Sequence, residues 1–347
     1  LVPCPENRIA QHAARGVMMQ GTSTKISVGI PSYNHGRFLP MTLETALSQT
    51  YRDFEIVVVD DASSDDSLAI AREFAARAPD KVRVYTHPGG AHRGIAATVN
   101  LTIEKSDGDI VTWLASDDAW YPDTLERRMA FIHEAPGPGL MYSRYDTIDE
   151  KNRIIKQSSG VDDGIDHDIP LAVMHHLVMG CCIGAPTVMV HRQCLETVGG
   201  FEDLDYCDWD LWTRVAALFP VRLLDAAVCM YRRHDRNFTT HVRIVDDLQR
   251  RVAVMNSLLA KARQVGGLLL HPRILTLIHL QLCCFHFCLN DRPLAGRHFV
   301  TALGIDSTLF DDGGACFSGW LIKNPPVEAP KKDFHKWVMA MLQHVGS

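Results

Sequence analysis

The 347-residue chain contains no Cys-x-x-Cys pair, no dense block of Lys and Arg, no uninterrupted apolar run of membrane length and no internal repeat of fixed period. Each absence removes a class of protein. The 10 cysteines include the adjacent pairs Cys181-Cys182 and Cys283-Cys284, a spacing that suits neither a zinc site nor a redox dithiol. Buried thiols in a reducing cytoplasm are therefore expected. With a formal net charge of −6 and no basic cluster, nucleic acid is not an expected partner. The most apolar later stretch, residues 274–289, is broken by His279, Gln281 and His286 and reads as a buried helix rather than a membrane span. Residues 1–23 lack the basic-then-apolar build of a signal peptide and show no clear periodicity, so a poorly packed leader is expected there. A cytoplasmic protein follows, with association at a membrane surface left open. No Gly-x-Gly-x-x-Gly turn follows the first strand, which argues against a nicotinamide dehydrogenase. A nucleotidyltransferase would carry a Gly-rich basic loop there, and residues 31–36 hold one Gly and one His.

What is present is an ordinary apolar fraction, 46%, and length enough for one large or two ordinary domains. The organising stretch is residues 110–118, Ile-Val-Thr-Trp-Leu-Ala-Ser-Asp-Asp, a short apolar run that ends abruptly in two carboxylates. Its β-branched and aromatic content suits an interior parallel strand. Before it, residues 25–30, 54–59 and 82–86 read as further strands. Helical spacing of Phe38, Leu39, Leu43, Ala46 and Leu47 predicts the first helix. A second, capped by Ser64 or Asp65, runs to about Arg77, and a third spans about 95–105. This alternation predicts an α/β fold with a mostly parallel sheet flanked by helices. Right-handed crossovers then bring the loops after all these strands to one edge, where ligands of open α/β sheets bind. That edge collects Tyr33, Asn34, Asp60, Asp61, Arg93, Asp117 and Asp118.

Adjacent carboxylates at such an edge are costly without a cation, and oxygen ligands favour Mg²⁺ or Mn²⁺. An Asp pair capping the following helix is the plainer alternative.

Further on, Pro122 fits the first turn of a helix to about His133. Residues 139–157 read as strands with a turn at 149–152, 162–168 as a loop, 171–178 as a helix and 185–191 as a strand. An acidic cluster at 203–210 opens a helix through Leu218, and short strands follow at 221–224 and 227–231. Past about His241 the chain becomes mainly helical, with 294–303 as the second arm of a helical hairpin.

The run 26–34, the turn Asp60-Asp61-Ala62-Ser63, Ser116-Asp117-Asp118 followed by Pro122-Asp123, and Gly199-Gly200-Phe201 with Asp208-Trp209-Asp210-Leu211-Trp212 together resemble the family 2 inverting glycosyltransferases of GT-A fold. The resemblance covers about residues 24–240. It implies a GT-A glycosyltransferase domain at 24–240, which leaves outside it the leader at 1–23 and the helical C-terminal region at 241–347. The implied reaction moves a sugar from a nucleoside-diphosphate sugar, UDP by base rate, to an acceptor that is a glycan, a lipid-linked saccharide, a small metabolite or a peptide. The alternative is a non-catalytic module that binds a nucleotide sugar or a glycan. A homodimer through the C-terminal helices is one expectation for the tail.

Residue by residue, the resemblance implies that Tyr33, with Pro31 and Asn34, lies beside the base and that Asp61 hydrogen-bonds it. Arg93 and Asn100 would contact base or phosphate. Ser116 and Asp117 would face the ribose or sugar, while Asp118 would bind Mn²⁺ or Mg²⁺ together with His234. Ala115 stands where many members carry another Asp, and Cys207 where many carry Glu. Asp208 takes the place of the catalytic base. Trp209 or Trp212 could stack on an acceptor, and Arg232 or Arg233 could bind diphosphate. The plain alternatives are helix-capping acids at Asp208 and Asp210, an ordinary histidine at 234, solvated arginines and core tryptophans.

Overall fold

The computed structural model describes residues 24–159, 165–181, 183–237 and 242–306, with 333, 336–338 and 340–341. The expected leader and parts of the 162–168 loop and of the tail lie outside them. Strands β1 (Ile26–Ser32), β2 (Phe54–Asp60), β3 (Val82–Thr86) and β4 (Ile110–Trp113) form a parallel half-sheet in the order β3-β2-β1-β4. Helices α1 (Leu39–Leu47), α2 (Ser67–Arg77) and α3 (Ile95–Glu104) make the crossovers. β1, β2 and β4 are covered on both faces, which is why they read as near-continuous apolar runs. Gly29 lets α3 close onto β1, since a Cβ there would stand 2.5 Å from Thr102 Oγ1 and 2.8 Å from Trp113 Cδ1.

The second half of the sheet is mixed. β5 (Ala119–Trp120), β6 (Leu140–Ile148), β7 (Ile154–Ser159), β8 (Met189–His191) and β9 (Val221–Arg232) continue it as β4-β8-β6-β9-β5, with β7 paired to β6. Several boundaries differ from the expected ones. The expected strand at 185–191 is shortened, because Ala185–Thr187 forms a 3₁₀ turn around Pro186. The two short strands at 221–231 are one, β9, whose register against β6 shifts where Ser143 faces Leu224 and Arg144 faces Ala227. The helix expected from Pro122 is α4 (Thr124–Glu134), delayed because Ala119 and Trp120 pair with Met230 and Cys229 of β9. α2 starts after Asp66; Asp65 instead accepts from the Ser67 and Gly36 backbone N–H groups, at 3.0 and 2.9 Å.

Helices α5 (Pro170–Met179), α6 (Arg192–Val198) and α7 (Cys207–Ala216) cover the mixed half. Three more follow: α8 (Ile244–Val265), α9 (Pro272–Cys288) and α10 (Arg292–Ile305). α9 and α10 form the expected hairpin, with Asp291 capping α10 by accepting from Leu294 N–H at 3.1 Å. The core does not stop at residue 240. Trp113, Leu177 and Trp212 belong to the same buried cluster as Met255, Leu258, Ile274 and Leu282, so α8 and α9 pack on the sheet domain of their own chain. Among the described residues no helix is long and apolar enough to cross a membrane.

Candidate active site

The loops after β1 and β2 are clipped together by short polar side chains. Asn34 takes a left-handed conformation (φ 54°), as Asn tolerates, and its side-chain oxygen accepts from the Ser64 N–H at 2.8 Å while its own N–H donates to Ser63 Oγ. Asp60 holds the same turn by accepting from the N–H and hydroxyl of Ser63. Asp61 is buried and accepts from the backbone N–H groups of Arg93 (2.6 Å) and Gly94 (2.9 Å) just before α3. His92 Nδ1 lies 3.0 Å and His87 Nε2 3.5 Å from its carboxylate. Above it Tyr33, 45% exposed, sits with its ring 4.5 Å from that of His92. An accessible aromatic pair thus stands on a buried anchor. Pro31 lies in β1 opposite Val59, and the Arg93 side chain is exposed.

The end of β4 separates its two carboxylates. Ser116 Oγ meets His35 Nδ1 at 2.8 Å, and Thr42 Oγ1 donates to the carbonyl of Asp118 at 2.7 Å. Asp117 faces His234, whose Nε2 is 2.9 Å from Oδ2, and lies 3.9 Å from His35 Nδ1. One donor atom from each of His35, Asp117 and His234 lies within 4.8 Å of the others. Phe38 packs beside the His234 ring, 4.8 Å between centroids. Burial lowers the pKa of His35, which keeps the ring neutral and its lone pair available. His234 Nδ1 accepts from the Arg236 N–H at 3.1 Å, which puts the neutral ring's proton on Nε2. Coordination through Nε2 requires the other tautomer and release of that N–H.

Asp118 does not join this cluster. It is fully buried, its Oδ1 accepts from the Arg232 N–H at 2.8 Å, and its Oδ2 has no hydrogen-bond partner. Burial, reinforced by Asp117, raises its pKa well above the carboxylate range. The carboxylate that meets the two histidines is thus that of Asp117, not the expected Asp118. A turn at Ser116 and Asp117, closed by the Asp118 N–H donating to the Ala115 carbonyl at 3.0 Å, precedes the pairing of Ala119 with β9, and the two carboxylates leave it toward different partners.

Other expected contacts are likewise committed elsewhere. Arg232, assigned to diphosphate, is buried: Nε donates to the Asp117 carbonyl (2.6 Å), Nη1 to the Asp149 carbonyl (2.9 Å) and Asn152 Oδ1 (2.6 Å), and the guanidinium lies over Phe38. It ties the β6–β7 turn to the site. Arg233 is exposed beside it. Asn100, assigned to the nucleotide, uses both ends of its amide on Phe201, donating to the carbonyl at 2.7 Å and accepting from the N–H at 2.9 Å. A Cβ at Gly200 would stand 2.4 Å from its Oδ1. Neither tryptophan offers a face to an acceptor. Trp209 is buried and donates to the Leu177 carbonyl, and Trp212 packs against both Trp113 and Phe201.

Asp208 lies in the first turn of α7, partly exposed, with Oδ1 accepting from the Trp209 N–H at 2.8 Å. Surrounding protein raises its carboxyl above the ordinary value by desolvation. Asp210, two residues on, is fully buried in an ion pair with Arg214 at 2.7 Å, and Arg214 also donates to the carbonyls of Val198 and Gly200. The Trp113–Trp212 contact lays α7 against β4, the strand that leads into the Asp117 turn. Sequence reasoning passed over His35, His92 and Asn237, whose amide donates to the Arg232 carbonyl and reaches Asp117 at 3.4 Å. His35 and His92 both stand in loops already assigned to the binding edge, and that position was their one available signal.

Residues 27–185 match the family model described as Glycosyl transferase family 2. An uncharacterized glycosyltransferase of Nostoc sp. is 28% identical over 219 residues, which cover 61% of this chain and 66% of that protein. One from Rickettsia typhi is 27% identical over 230 residues, covering 64% and 68%. One from Rickettsia conorii is 28% identical over 217 residues, covering 61% of this chain and 34% of the relative. The matched stretch thus spans between about a third and two thirds of these curated relatives. Among solved structures, S. aureus TarS 1–349 in complex with UDP-GlcNAc superposes with a TM-score of 0.56 at 20% identity, covering 81% of this chain and 80% of that one. The mannosyltransferase PcManGT from Pyrobaculum calidifontis, in complex with GDP-Man and Mn²⁺, gives 0.54 at 18% identity, covering 93% and 86%.

Proposed function

We propose that this chain, whose residues 27–185 match the Glycosyl transferase family 2 model and which has the GT-A fold, is an inverting, metal-assisted transferase that moves a sugar from a UDP-sugar to an acceptor hydroxyl. The observation that carries the reading is the convergence of His35, Asp117 and His234 at the carboxyl edge of the parallel strands. Two imidazoles and one carboxylate suit a borderline divalent ion such as Mn²⁺ better than Mg²⁺, which prefers oxygen alone. Such an ion, when bound, neutralises charge on the departing diphosphate. Tyr33 and His92 stack on the base, and Asp61 fixes their platform rather than reading the base itself. Asp208 accepts the acceptor's proton as its oxygen bonds to the anomeric carbon and the bond to diphosphate breaks with its electron pair. A raised pKa makes Asp208 the stronger base once ionised. Neighbouring folds solved with UDP-GlcNAc and with GDP-Man and Mn²⁺ support a nucleotide-sugar donor.

The test is UDP binding by calorimetry, with Mn²⁺ and with chelator. Mn²⁺ should strengthen wild-type binding. Asp117→Asn should lose that gain and Asp118→Asn should keep it. Equal affinity of the wild type with and without Mn²⁺ would overturn the metal assignment, and a wild type that binds UDP-sugars yet never turns them over would make the chain a binding module.

A further inference from the structure

We propose that α8, the first helix of the C-terminal region, is the positioning element for Asp208, acting through Asp247 and Arg251. The inference rests on the reading of Asp208 as the base. The segment 202–209 leads into α7, and α8 grips it at five points. Lys261 pairs with Glu202 at 2.6 Å and Arg250 with Asp205 at 2.7 Å. The Tyr206 hydroxyl donates to Asp247 Oδ1 at 2.6 Å, and the Arg250 guanidinium lies over the Tyr206 ring, 5.7 Å from its centroid. Arg251 donates to Asp247 Oδ2 at 2.7 Å and lies over the Trp209 ring at 5.6 Å. Tyr206 and Trp209 flank Asp208 in sequence, so one i,i+4 pair on α8 contacts the chain on both sides of the base.

These polar contacts are not what holds α8 down. Leu248, Val254, Met255 and Leu258 are buried in the main core and do that. The ion pairs are partly exposed, with side-chain accessibilities of 22% for Asp247 and 29% for Arg251, and such pairs contribute little to stability. Their information is directional. The approach to α7 at residues 202–206 has no helix or strand of its own to fix it, and a misplacement of about 1 Å in a catalytic group costs up to ~100-fold in rate. The network fixes where the Tyr206 ring and the first turn of α7 sit, and with them the Asp208 carboxylate.

The experiment measures donor hydrolysis by the full chain with Mn²⁺ on UDP-GlcNAc, UDP-glucose and GDP-mannose, following whichever donor the wild type turns over. Asp247→Asn and, independently, Tyr206→Phe should each lower kcat about 10-fold while the donor KM stays within about twofold and Tm falls little. In an Asp208→Asn background the same changes should cost nothing further, because a residue that acts only through the base has nothing left to act on. Additive losses in that background, a parallel fall of Tm and rate, or unimpaired kcat in both variants would overturn the proposal. A wild type silent on every donor, or Asp208→Asn at full rate, removes the base assignment first and this inference with it.

Discussion

At Asp117 and Asp118 adjacent carboxylates meet opposite environments, one facing two histidines and the other sealed against the Arg232 backbone. Asp208 lies between these extremes, partly exposed and raised in pKa by the protein around it. A general base must be ionised, so turnover should fall as the pH drops through a value above that of a free carboxylate. Asp208→Asn should remove that acidic limb and about 10²–10⁴-fold of the rate. The sign of the stability effect is opposite. A raised folded-state pKa favours the protonated form, so the group's contribution is full below the unfolded pKa and lost as pH rises through the folded one. At neutral pH Asp208→Asn should therefore leave Tm unchanged or higher, and a pH–rate profile with parallel melting curves checks both halves. Tyr33 offers a second residue-scale test. Its exposed ring beside His92 should give Tyr33→Ala a loss of about 1–3 kcal/mol for UDP and almost none for pyrophosphate. Equal losses for the two ligands, read by calorimetry, would count against the platform.

Among the elements, α7 carries two acids with different duties. Asp208 sits in its first turn, partly exposed, and Asp210 turns inward to the fully buried Arg214, which in turn clasps the carbonyls of Val198 and Gly200. Removing one partner of a buried pair strands the other's charge, so Asp210→Asn should cost about 3–5 kcal/mol in denaturant unfolding. Donor affinity per folded molecule should be retained. An Asp210→Asn protein as stable as the wild type would mean that the Arg214 charge is compensated from elsewhere.

At the scale of the whole molecule, one apolar cluster runs from β4 through α5 and α7 into α8 and α9. A chain cut near residue 240 would expose the faces of α5 and α7 against which α9 and α8 now pack. Such a fragment should fail to show a cooperative unfolding transition by near-UV circular dichroism, whereas the full chain should melt its sheet and C-terminal helices together. A fragment that melts cooperatively with wild-type enthalpy per residue would mark the tail as a separate domain.

The sequence by itself determined the strand–loop–helix alternation through β4, and with it the edge at which Tyr33, Asp61 and Asp117 stand, because apolar periodicity and turn chemistry are local properties. The turn at residues 149–152 and the α9–α10 hairpin were legible for the same reason. Only the tertiary structure set Asp117 beside His234 and Asp118 against the Arg232 N–H, since both partners arrive from the far end of β9, more than a hundred residues away in the chain. It also decided that Arg232 and Asn100 would spend their hydrogen bonds on other groups of the chain, that Trp209 and Trp212 would be core, and that His35 would meet His234. A polar side chain free to bind a ligand and one consumed by its own protein look alike in sequence. What separates them is which distant backbone groups arrive beside them, and long-range packing supplies that.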